Sequence, residues 1–341
     1  MIEEIEKYRP LSWNEVNDWK FPDTSWWIKD LIPKNAFVII ASISGEGKSW
    51  SAYTMAKNIS EGKNFLGKNE FQTNQGTVLY IDAENSPKEI QRRCRQLGYT
   101  DNENLLFLPV SDFNLNSEMF ANKLKSIIAE NHVDVVIVDT FRAVAGGLDE
   151  NQANVVRQFY NRFKELRDNS TSFVFLDHYR KPNHFEGKVP RKEFLFGSQD
   201  KTAGVEILLM LKKEGDTIEL HQAKNRVGKE IEPFKMELID SLNEKSETST
   251  KLRYVGSIEA TETKSDLAQV VICRILNSGP LLRTELIDAV QNQVSIGAKN
   301  IDSAIHELIK AGMIVEDKDG KKNVYSLVTP IPSETIEATN F

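Results

Sequence analysis

Residues 42–49 combine glycine, lysine and hydroxyl side chains at a spacing that can hold a phosphate group. They read Ser-Ile-Ser-Gly-Glu-Gly-Lys-Ser, between an apolar segment at 37–41 and a segment with helical spacing at 50–57. A tight glycine-containing turn lets consecutive backbone N–H groups point at phosphate oxygens, and the helix that follows adds the positive end of its dipole. Strand, turn and helix together predict a phosphate-binding loop.

Each residue type in this loop has an expected contact. Lys48 is placed to reach the β- and γ-phosphates of a nucleoside triphosphate, and the hydroxyl of Ser49 is placed to bind Mg²⁺. The usual pattern starts with glycine where this chain has Ser42, so an ordinary turn between a strand and a helix is also possible. The residues expected to surround the phosphates are Ser44, Gly45, Glu46, Gly47, Lys48, Ser49 and Trp50.

Carboxylates follow two further apolar segments that read as buried strands. Residues 77–81 lead into Asp82-Ala83-Glu84, and residues 133–138 lead into Asp139. Ligands of α/β sheets bind at the carboxyl ends of the strands. Asp139 is therefore expected opposite Ser49, where it would hold the water shell of Mg²⁺.

Length and composition favour a soluble protein with more than one folded unit. The chain has 341 residues, of which 40% are hydrophobic and 27% are charged. Its net charge of -7 argues against an electrostatic grip on nucleic acid by the whole surface, although local basic loops remain possible. Cys94 and Cys273 lie far apart and outside any metal-ligand spacing, which fits a reducing compartment. The acidic start of the chain and the lack of an apolar run of about 20 residues predict a cytoplasmic protein without membrane contact.

The order of the apolar segments predicts the fold class. Strands alternate with helices up to about residue 180, and two strand-like runs at 205–212 and 217–222 follow. This order predicts an α/β fold with a mostly parallel sheet, flanking helices and an antiparallel extension. The expected divisions are an N-terminal arm, the α/β domain, a linker, a small helical domain and a disordered tail, over residues 1–35, 36–256, 257–265, 266–328 and 329–341.

Aromatic residues are concentrated in the N-terminal arm. It carries four of the five tryptophans, namely Trp13, Trp19, Trp26 and Trp27. These side chains are expected to pack onto the next domain. Docking on a neighbouring subunit and stacking near a nucleotide base are the alternatives.

The last folded segment predicts a winged helix-turn-helix. Three amphipathic helices are expected near 266–277, 283–293 and 295–311, followed by a β-hairpin that turns at Asp319-Gly320. The third helix of such a module would enter a major groove. Basic and acidic residues are about balanced here, so contact with duplex DNA and contact with protein both remain open. Candidates for phosphate contacts are Lys299, Lys321 and Lys322.

Residues 10 to about 240 resemble the RecA-like ATPases of the plasmid RepA helicase group, which has RadA and DnaB as relatives. The likeness rests on residues 27–33 before the first strand and on residues 76–87, which are similar to the second strand of that group. Residues 177–181 resemble its His-His-x-Arg-Lys run, with Asp177 in place of the first His. Residues 224–228 are similar to Lys-Asn-Arg-Phe-Gly of RadA, with valine in place of phenylalanine.

This resemblance implies catalytic roles. Glu84 would polarise the water that attacks the γ-phosphate, although Asp82 remains a competitor because strand alternation puts both carboxylates on one face. His178 would sense the γ-phosphate. Lys224 and Arg226 would complete the site of the next subunit, although a solvated basic turn is the simpler interpretation of this pair.

In this fold, two loops face a central channel, and here they correspond to residues 142–154 and 182–196. The second loop is basic, which fits contacts to a phosphate backbone, and its only candidates for stacking on bases are Phe185 and Phe194. A solvated mobile loop is the alternative. Candidates for nucleic-acid contact are Arg142, Lys188, Arg191 and Lys192.

The resemblance implies a RecA-like ATPase that uses ATP and Mg²⁺ and assembles as a homo-hexamer. It would be a replicative DNA helicase that translocates on single-stranded DNA. One alternative is an ATP-switched regulator that binds duplex DNA through the winged helix. Another is a recombination or repair ATPase without processive unwinding.

Overall fold

The computed structural model describes residues 9–18, 25–110, 114, 117–145, 147, 149–169, 171–182, 189–197, 199–242, 248–258, 264–320 and 322–328. The helices in these ranges are α1 (Trp13–Asn17), α2 (Lys48–Glu61), α3 (Pro87–Gln96), α4 (Glu118–Asn131), α5 (Phe141–Val144), α6 (Ala153–Asn169), α7 (Gln199–Ala203), α8 (Lys264–Leu276), α9 (Arg283–Gln293) and α10 (Ala298–Lys310). Short 3-10 helices lie at Phe65–Gly67, Asn69–Phe71 and Lys192–Phe194.

The strands are β1 (Trp26–Ile28), β2 (Ile32–Pro33), β3 (Phe37–Ser42), β4 (Val78–Asp82), β5 (Leu105–Pro109), β6 (Val135–Asp139), β7 (Ser172–His178), β8 (Ile207–Glu214), β9 (Thr217–Asn225), β10 (Phe234–Leu242), β11 (Thr248–Ser257), β12 (Leu281–Leu282), β13 (Ile314–Asp319) and β14 (Lys322–Leu327).

One large sheet dominates the described part of the chain. Its nine strands lie in the order β11-β10-β9-β8-β3-β7-β6-β4-β5. The strands from β8 to β5 in this order are parallel, whereas β9, β10 and β11 extend the sheet by antiparallel pairing. The predicted α/β fold, with a mostly parallel sheet, flanking helices and an antiparallel extension, is confirmed.

Apolar side chains cover both faces of this sheet. Strand β3 is buried along its whole length, which is expected for a parallel strand with helices on either side. Helices α2 and α3 pack on one face, and α4 and α6 pack on the other. These two layers fix the strands, so that the strand ends become a rigid edge.

The register of the parallel strands decides which strand ends are neighbours. Ser42 at the end of β3 is paired with His178 on β7, and Asp82 on β4 is paired with Asp139 on β6. Strands β7 and β6 are also paired with each other. The polar residues predicted at the strand ends therefore meet at one edge of the sheet.

Residues 264–328 contain the predicted helices and hairpin. Helices α8, α9 and α10 pack on a small antiparallel sheet with the strand order β12-β14-β13, around an apolar cluster of their own. Gly320 adopts a φ of 63° at the hairpin turn, where glycine is favoured. The short strand β12 was not predicted.

Some sequence predictions were wrong in detail. Arg142 lies on the short helix α5 rather than in a loop, because residues after β6 turn at once into a helical turn. Strands β10 and β11, which pair along their length, extend the sheet beyond the two runs predicted at 205–212 and 217–222. In the arm, Trp27 is buried in the core but Trp13 is 73% exposed, so the predicted packing holds for only part of the tryptophans.

Some predictions concern residues outside the described ranges. These are Trp19, the tail at 329–341 and most of the linker at 257–265. In the part of the chain that is described, no helix combines the length and the apolar character needed to cross a membrane.

Candidate nucleotide-binding site

The predicted phosphate-binding loop connects the end of β3 to the start of α2. Gly45 and Gly47 have φ values of 83° and 86°, in the left-handed region that favours glycine. A Cβ atom on Gly47 would also lie 2.3 Å from Cδ1 of Ile218 on β9, so a larger residue here would have to displace the end of that side chain as well as adopt a strained backbone. Ser42 is the last residue of β3 and has extended backbone, so its position does not require glycine.

Lys48 begins α2 and is almost fully buried beneath the loop. Its ammonium group donates a hydrogen bond to the backbone oxygen of Asp177 at 3.0 Å and lies 3.3 Å from Nε2 of His178. Burial lowers the pKa of Lys48, while Asp139, Glu84 and Asp177 act in the opposite direction. A lysine held by such weak acceptors is placed to exchange them for phosphate oxygens.

Asp139 is fully buried at the end of β6. Its Oδ2 accepts a hydrogen bond from the hydroxyl of Tyr80 at 3.0 Å, whereas its Oδ1 has no hydrogen-bond partner among the described residues. Burial and then the Asp82 carboxylate raise the pKa of Asp139 to about 6, against the effects of Ser49 and Lys48. A buried carboxylate oxygen without a partner fits a site for hydrated Mg²⁺.

No group of three or more His, Cys, Asp or Glu side chains in the described ranges could hold a metal ion by itself. Mg²⁺ in nucleotide sites keeps several waters and takes its other ligands from one or two protein oxygens and from substrate phosphates. Ser49 and Asp139 fit this donor set.

Asp82 and Glu84 differ sharply in their surroundings. Asp82 is buried, accepts the hydroxyl of Tyr53 at 2.8 Å and caps the following turn through the backbone N–H of Asn85, also at 2.8 Å. Glu84 is exposed, accepts the hydroxyl of Thr140 at 2.9 Å and has its Oε1 4.0 Å from Nε2 of His178. The Asp82 carboxylate is thus engaged in structural contacts, while the Glu84 carboxylate is exposed in the open space between Thr140 and His178, here called the nucleotide cleft.

His178 lies between Lys48 and Glu84 at the end of β7. Burial lowers the pKa of His178, and the ammonium group of Lys48 lowers it further. Its backbone N–H donates to Oδ1 of Asp177 at 2.8 Å. The imidazole is therefore neutral near pH 7 and can exchange hydrogen bonds with groups that enter the cleft.

The remaining residues of the predicted loop line its outer side. Ser44 and Gly45 are exposed, and Glu46 is half-buried and accepts the hydroxyl of Tyr179 at 3.3 Å. Trp50 is half-buried on α2, with the guanidinium of Arg93 5.8 Å from its ring centre.

Lys224 and Arg226 are not part of this group. The backbone N–H of Arg226 donates to Glu206, and that of Glu206 donates to Phe37 at the start of β3, both at 2.9 Å. The phosphate-binding loop follows the other end of β3, about 17 Å away along an extended strand of this length. The described fold therefore places Arg226 towards the opposite edge of the sheet from the phosphate loop of its own chain.

Lys224 and Arg226 instead line a separate cleft of about 930 Å³. Arg180 and Lys192 lie on the same cleft, and Arg226 is exposed. Lys224 donates to the backbone oxygens of Thr202 and Ala203. Burial and then the Arg226 guanidinium lower the pKa of Lys224 to about 8, while the Glu206 carboxylate acts in the opposite direction. Glu193, Asp200 and Glu230 also line the cleft.

The predicted nucleic-acid contacts are only partly gathered in one place. Arg142 and Lys192 are exposed, Arg191 is half-buried, and Lys188 lies outside the described residues. In the C-terminal segment Lys299 and Lys322 are exposed, and Lys321 also lies outside the described residues.

The aromatic prediction for the second loop needs a correction. Phe194 is only 2% exposed, with the guanidinium of Arg180 4.9 Å from its ring centre, so it is unavailable for stacking. Phe185 lies outside the described residues. Phe196 is 47% exposed and was not predicted, because sequence alone does not show which of two nearby rings turns inward.

Other supporting residues were also missed. Thr140 orients Glu84, and Tyr80 and Tyr53, whose rings stack at 4.4 Å, hold Asp139 and Asp82. Tyr80 lies on β4 but contacts Asp139 on the neighbouring β6, so the contact depends on strand pairing that no pattern within β4 shows. Tyr53 lies on a different element, and no local pattern points to it.

The fold and the site together define a phosphate-binding α/β domain with nucleotide-binding geometry. Residues 2–184 match the family model described as an AAA domain, and the chain belongs to this family.

No curated protein matches the chain. Among solved structures it is similar to an isolated ATPase domain, at 16% identity and a TM-score of 0.48, over 73% of this chain and 95% of that one. It is also similar to a DnaB-like replicative helicase described with its interactions with primase, at 15% identity and a TM-score of 0.49, over 70% of this chain and 68% of that one.

Proposed function

We propose that this protein is a Mg²⁺-dependent ATPase that assembles as a ring of six copies and moves along single-stranded DNA as a RepA-type replicative helicase. The observation that carries the proposal is a division of the catalytic set. Lys48, Glu84, Asp139 and His178 meet at one edge of the sheet, whereas Lys224 and Arg226 lie towards the other. A second copy has to supply what the first site lacks.

The contacts at the loop support hydrolysis. Lys48 would leave the backbone oxygen of Asp177 and bind the γ-phosphate, since an anionic oxygen is the stronger acceptor. Glu84, oriented by Thr140, would accept the proton of the attacking water. Ser49 and Asp139 would hold Mg²⁺, which when bound neutralises charge on the β- and γ-phosphate oxygens.

His178 is the residue that would register the state of the nucleotide. Its Nε2 lies 3.3 Å from Lys48 and 4.0 Å from Glu84. When Lys48 turns to a phosphate, His178 loses this neighbour and is free to bind the phosphate itself. The basic segment that follows β7 would then change position with the end of the strand.

The cationic cleft supports action between copies. Lys224 and Arg226 lie away from the phosphate-binding loop of their own chain, and a triphosphate held by a neighbouring copy would be the anion that they bind. A cation supplied in trans in this way is worth about 10³–10⁵ in rate. Lys192 on the same cleft, with Arg142 and the exposed ring of Phe196, would contact the backbone and bases of DNA.

The decisive experiment measures ATP hydrolysis with and without single-stranded DNA, alongside particle images. Lys48→Ala should abolish hydrolysis, and Arg226→Ala should lower it about 10³-fold or more while leaving nucleotide binding nearly intact. Lys229→Ala is the matched control, because Lys229 is an exposed cation near the same turn. Unchanged turnover in Arg226→Ala, or full turnover by a lone protomer, would refute the proposal.

A second candidate is an ATP-switched DNA-binding regulator. The separate apolar cluster of α8–α10 favours it, because three helices and a small sheet of this kind suit a winged helix. We infer that residues 266–328 form such a module, with Lys299 and Lys322 near its DNA. Duplex-specific binding that is lost in Lys299→Glu, without strand separation by the whole protein, would favour the regulator over the helicase.

A further inference from the structure

Lys201 on α7 is fully buried, with 0% of its surface exposed, although lysine is almost never fully buried unless it is paired. Its ammonium group lies 2.5 Å from Oδ2 of Asp177 and forms a second ion pair with Glu150. It also donates to the backbone oxygen of Phe196 at 3.3 Å and lies 4.5 Å from the ring centre of Phe141. The chemistry proposed above does not use this residue.

The partners of Lys201 belong to three separate segments. Asp177 precedes His178, and its backbone oxygen holds Lys48. Glu150 lies between α5 and α6, within the first of the two loops expected to face DNA. Phe196 ends the second of these loops and exposes its ring. The ammonium group of Lys201 thus contacts one residue in each loop and also Asp177, whose backbone oxygen accepts the hydrogen bond of Lys48.

The two loops also meet directly at this point. Gly197 has a φ of 100°, and a Cβ atom on it would lie 2.8 Å from the backbone oxygen of Glu150. Such close backbone approach leaves little freedom for one loop to move without the other. A displacement of Lys201 would therefore shift both loops.

The chemistry of the cluster indicates positioning rather than simple stabilisation. Replacing a buried ion pair by well-packed apolar residues is often neutral or stabilising, so a buried lysine with two carboxylates is not the most stable solution. Hydrogen bonds and charges do, however, fix direction and distance in a way that apolar contacts do not. Loss of the contact with Lys201 would leave the buried Asp177 carboxylate without its counter-charge, which penalises separation of these segments.

We propose that Lys201 is a positioning residue that couples the nucleotide site to the two DNA-facing loops. When Lys48 leaves Asp177 for a phosphate, the end of β7 adjusts, and Lys201 passes this adjustment to Glu150 and Phe196. DNA bound at the loops acts back on Lys48 and His178 by the same contacts, because coupling between sites is reciprocal. This inference rests on the proposed function.

The test uses the full chain and the variants Glu150→Gln and Lys201→Met. Glu150→Gln removes one ion pair but keeps a hydrogen-bond acceptor of the same shape. In both variants hydrolysis without DNA should stay near the wild-type rate, while the stimulation by single-stranded DNA falls about tenfold. If Lys201→Met does not fold, Glu150→Gln alone carries the test, because it leaves the Lys201–Asp177 ion pair in place.

A second readout does not depend on activity. Hydrogen exchange is followed at 43–50, 149–155 and 194–204 with and without a non-hydrolysable ATP analogue. In the wild type the analogue should slow exchange in all three segments. In the variants the protection should remain at 43–50 and be lost from the other two.

Arg167→Met is the matched control. Arg167 forms a partly buried ion pair with Glu206 at 3.2 Å, and Glu206 lies beside the start of β3, away from the phosphate loop. This variant should lower the unfolding temperature without changing the stimulation by DNA. If Glu150→Gln and Lys201→Met lose hydrolysis with and without DNA in equal proportion, or keep full stimulation, Lys201 has only a structural role. If the wild type hydrolyses no ATP, or does not respond to DNA, the proposed function fails together with the coupling.

Discussion

The predicted catalytic residues lie in two regions, at the phosphate-loop edge of the sheet and at the far end of β9. The two regions differ in how far their side chains are buried and held by neighbours. At the loop, Lys48, Asp139 and His178 are buried or half-buried and held by neighbours in the same chain. At the end of β9, Arg226 is exposed and shares an open cleft with Lys224. Contacts within the chain hold the first group in place, whereas Arg226 of the second group is open to solvent.

This difference separates side chains whose positions are fixed by the fold from side chains that lie at its surface. Residues at the loop edge are fixed by the register of parallel strands, so their geometry exists before any partner arrives. In the cleft on β9, burial and then the neighbouring Arg226 guanidinium lower the pKa of Lys224. A bound phosphate would favour the charged form of this lysine.

The largest expected effect comes from mixing two inactive variants. Lys48→Ala and Arg226→Ala should each be reduced about 10³-fold or more in hydrolysis. In a mixed ring, some interfaces pair an intact Lys48 with an intact Arg226 of the adjoining copy, so activity should return. The double variant mixed with Lys48→Ala is the control and should stay inactive. Absence of recovery in the first mixture would remove the distinction between the two regions.

The next effect separates the two carboxylates after β4. Glu84→Gln should lower the rate of the chemical step about 10²–10⁴-fold with little change in stability, because its side chain faces the cleft. Asp82→Asn should instead cost about 1–3 kcal/mol of folding free energy, since Tyr53 and Asn85 then face an amide nitrogen. Single-turnover kinetics and thermal unfolding measure the two quantities. The reverse pattern would assign catalysis to Asp82.

Asp139 should show a conflict between stability and function. Its native pKa of about 6, against an ordinary value of 3.8, means that ionising it in the folded state costs about 3 kcal/mol. This raised pKa implies that its contribution to stability is complete below 3.8 and is lost as the pH rises through 6. Asp139→Asn cannot ionise, so in metal-free buffer its stability relative to the wild type should increase from about pH 4 to about pH 7, while hydrolysis is lost.

Unfolding free energies across this pH range test the prediction. Asp134→Asn is the control, because Asp134 lies just before the other end of β6 and accepts the N–H of Thr77 at 2.8 Å. A pH-independent difference between Asp139→Asn and the wild type would contradict the raised pKa.

The smallest expected effect concerns the exposed ring of Phe196 and its contact with DNA bases. Phe196→Ala should weaken binding of single-stranded DNA about tenfold, as expected for the loss of one stacking contact. Met119→Ala serves as the control, since Met119 is an exposed apolar residue on α4. Equal affinities of these two variants, measured by fluorescence anisotropy, would show that Phe196 does not stack on bases.

The sequence predicted the parts of the site that depend on local patterns. The loop at 42–49 and the acids after β4 and β6 were recognised because residue type and strand period are properties of short segments. The choice between Asp82 and Glu84 was not, because it depends on Tyr53 and Thr140, which come from other elements.

Lys201 illustrates why the rest stayed hidden. In the sequence it lies in a polar segment and reads as a solvated cation. Its burial depends on two carboxylates, that of Glu150, 51 residues earlier in the chain, and that of Asp177 on β7. Only the folded topology brings these groups together. The sequence also does not show that the ring of Phe194 is buried while that of Phe196 is exposed, because the local direction of the backbone decides which ring is covered.

The contact between Gly47 and Ile218 links the dimensions of the loop to those of β9. Any side chain at Gly47 would displace Ile218 near the start of that strand, while Lys224 occupies its other end. A protein engineer who enlarges this loop residue would have to shorten or reorient Ile218, and would still face the left-handed backbone that Gly47 adopts.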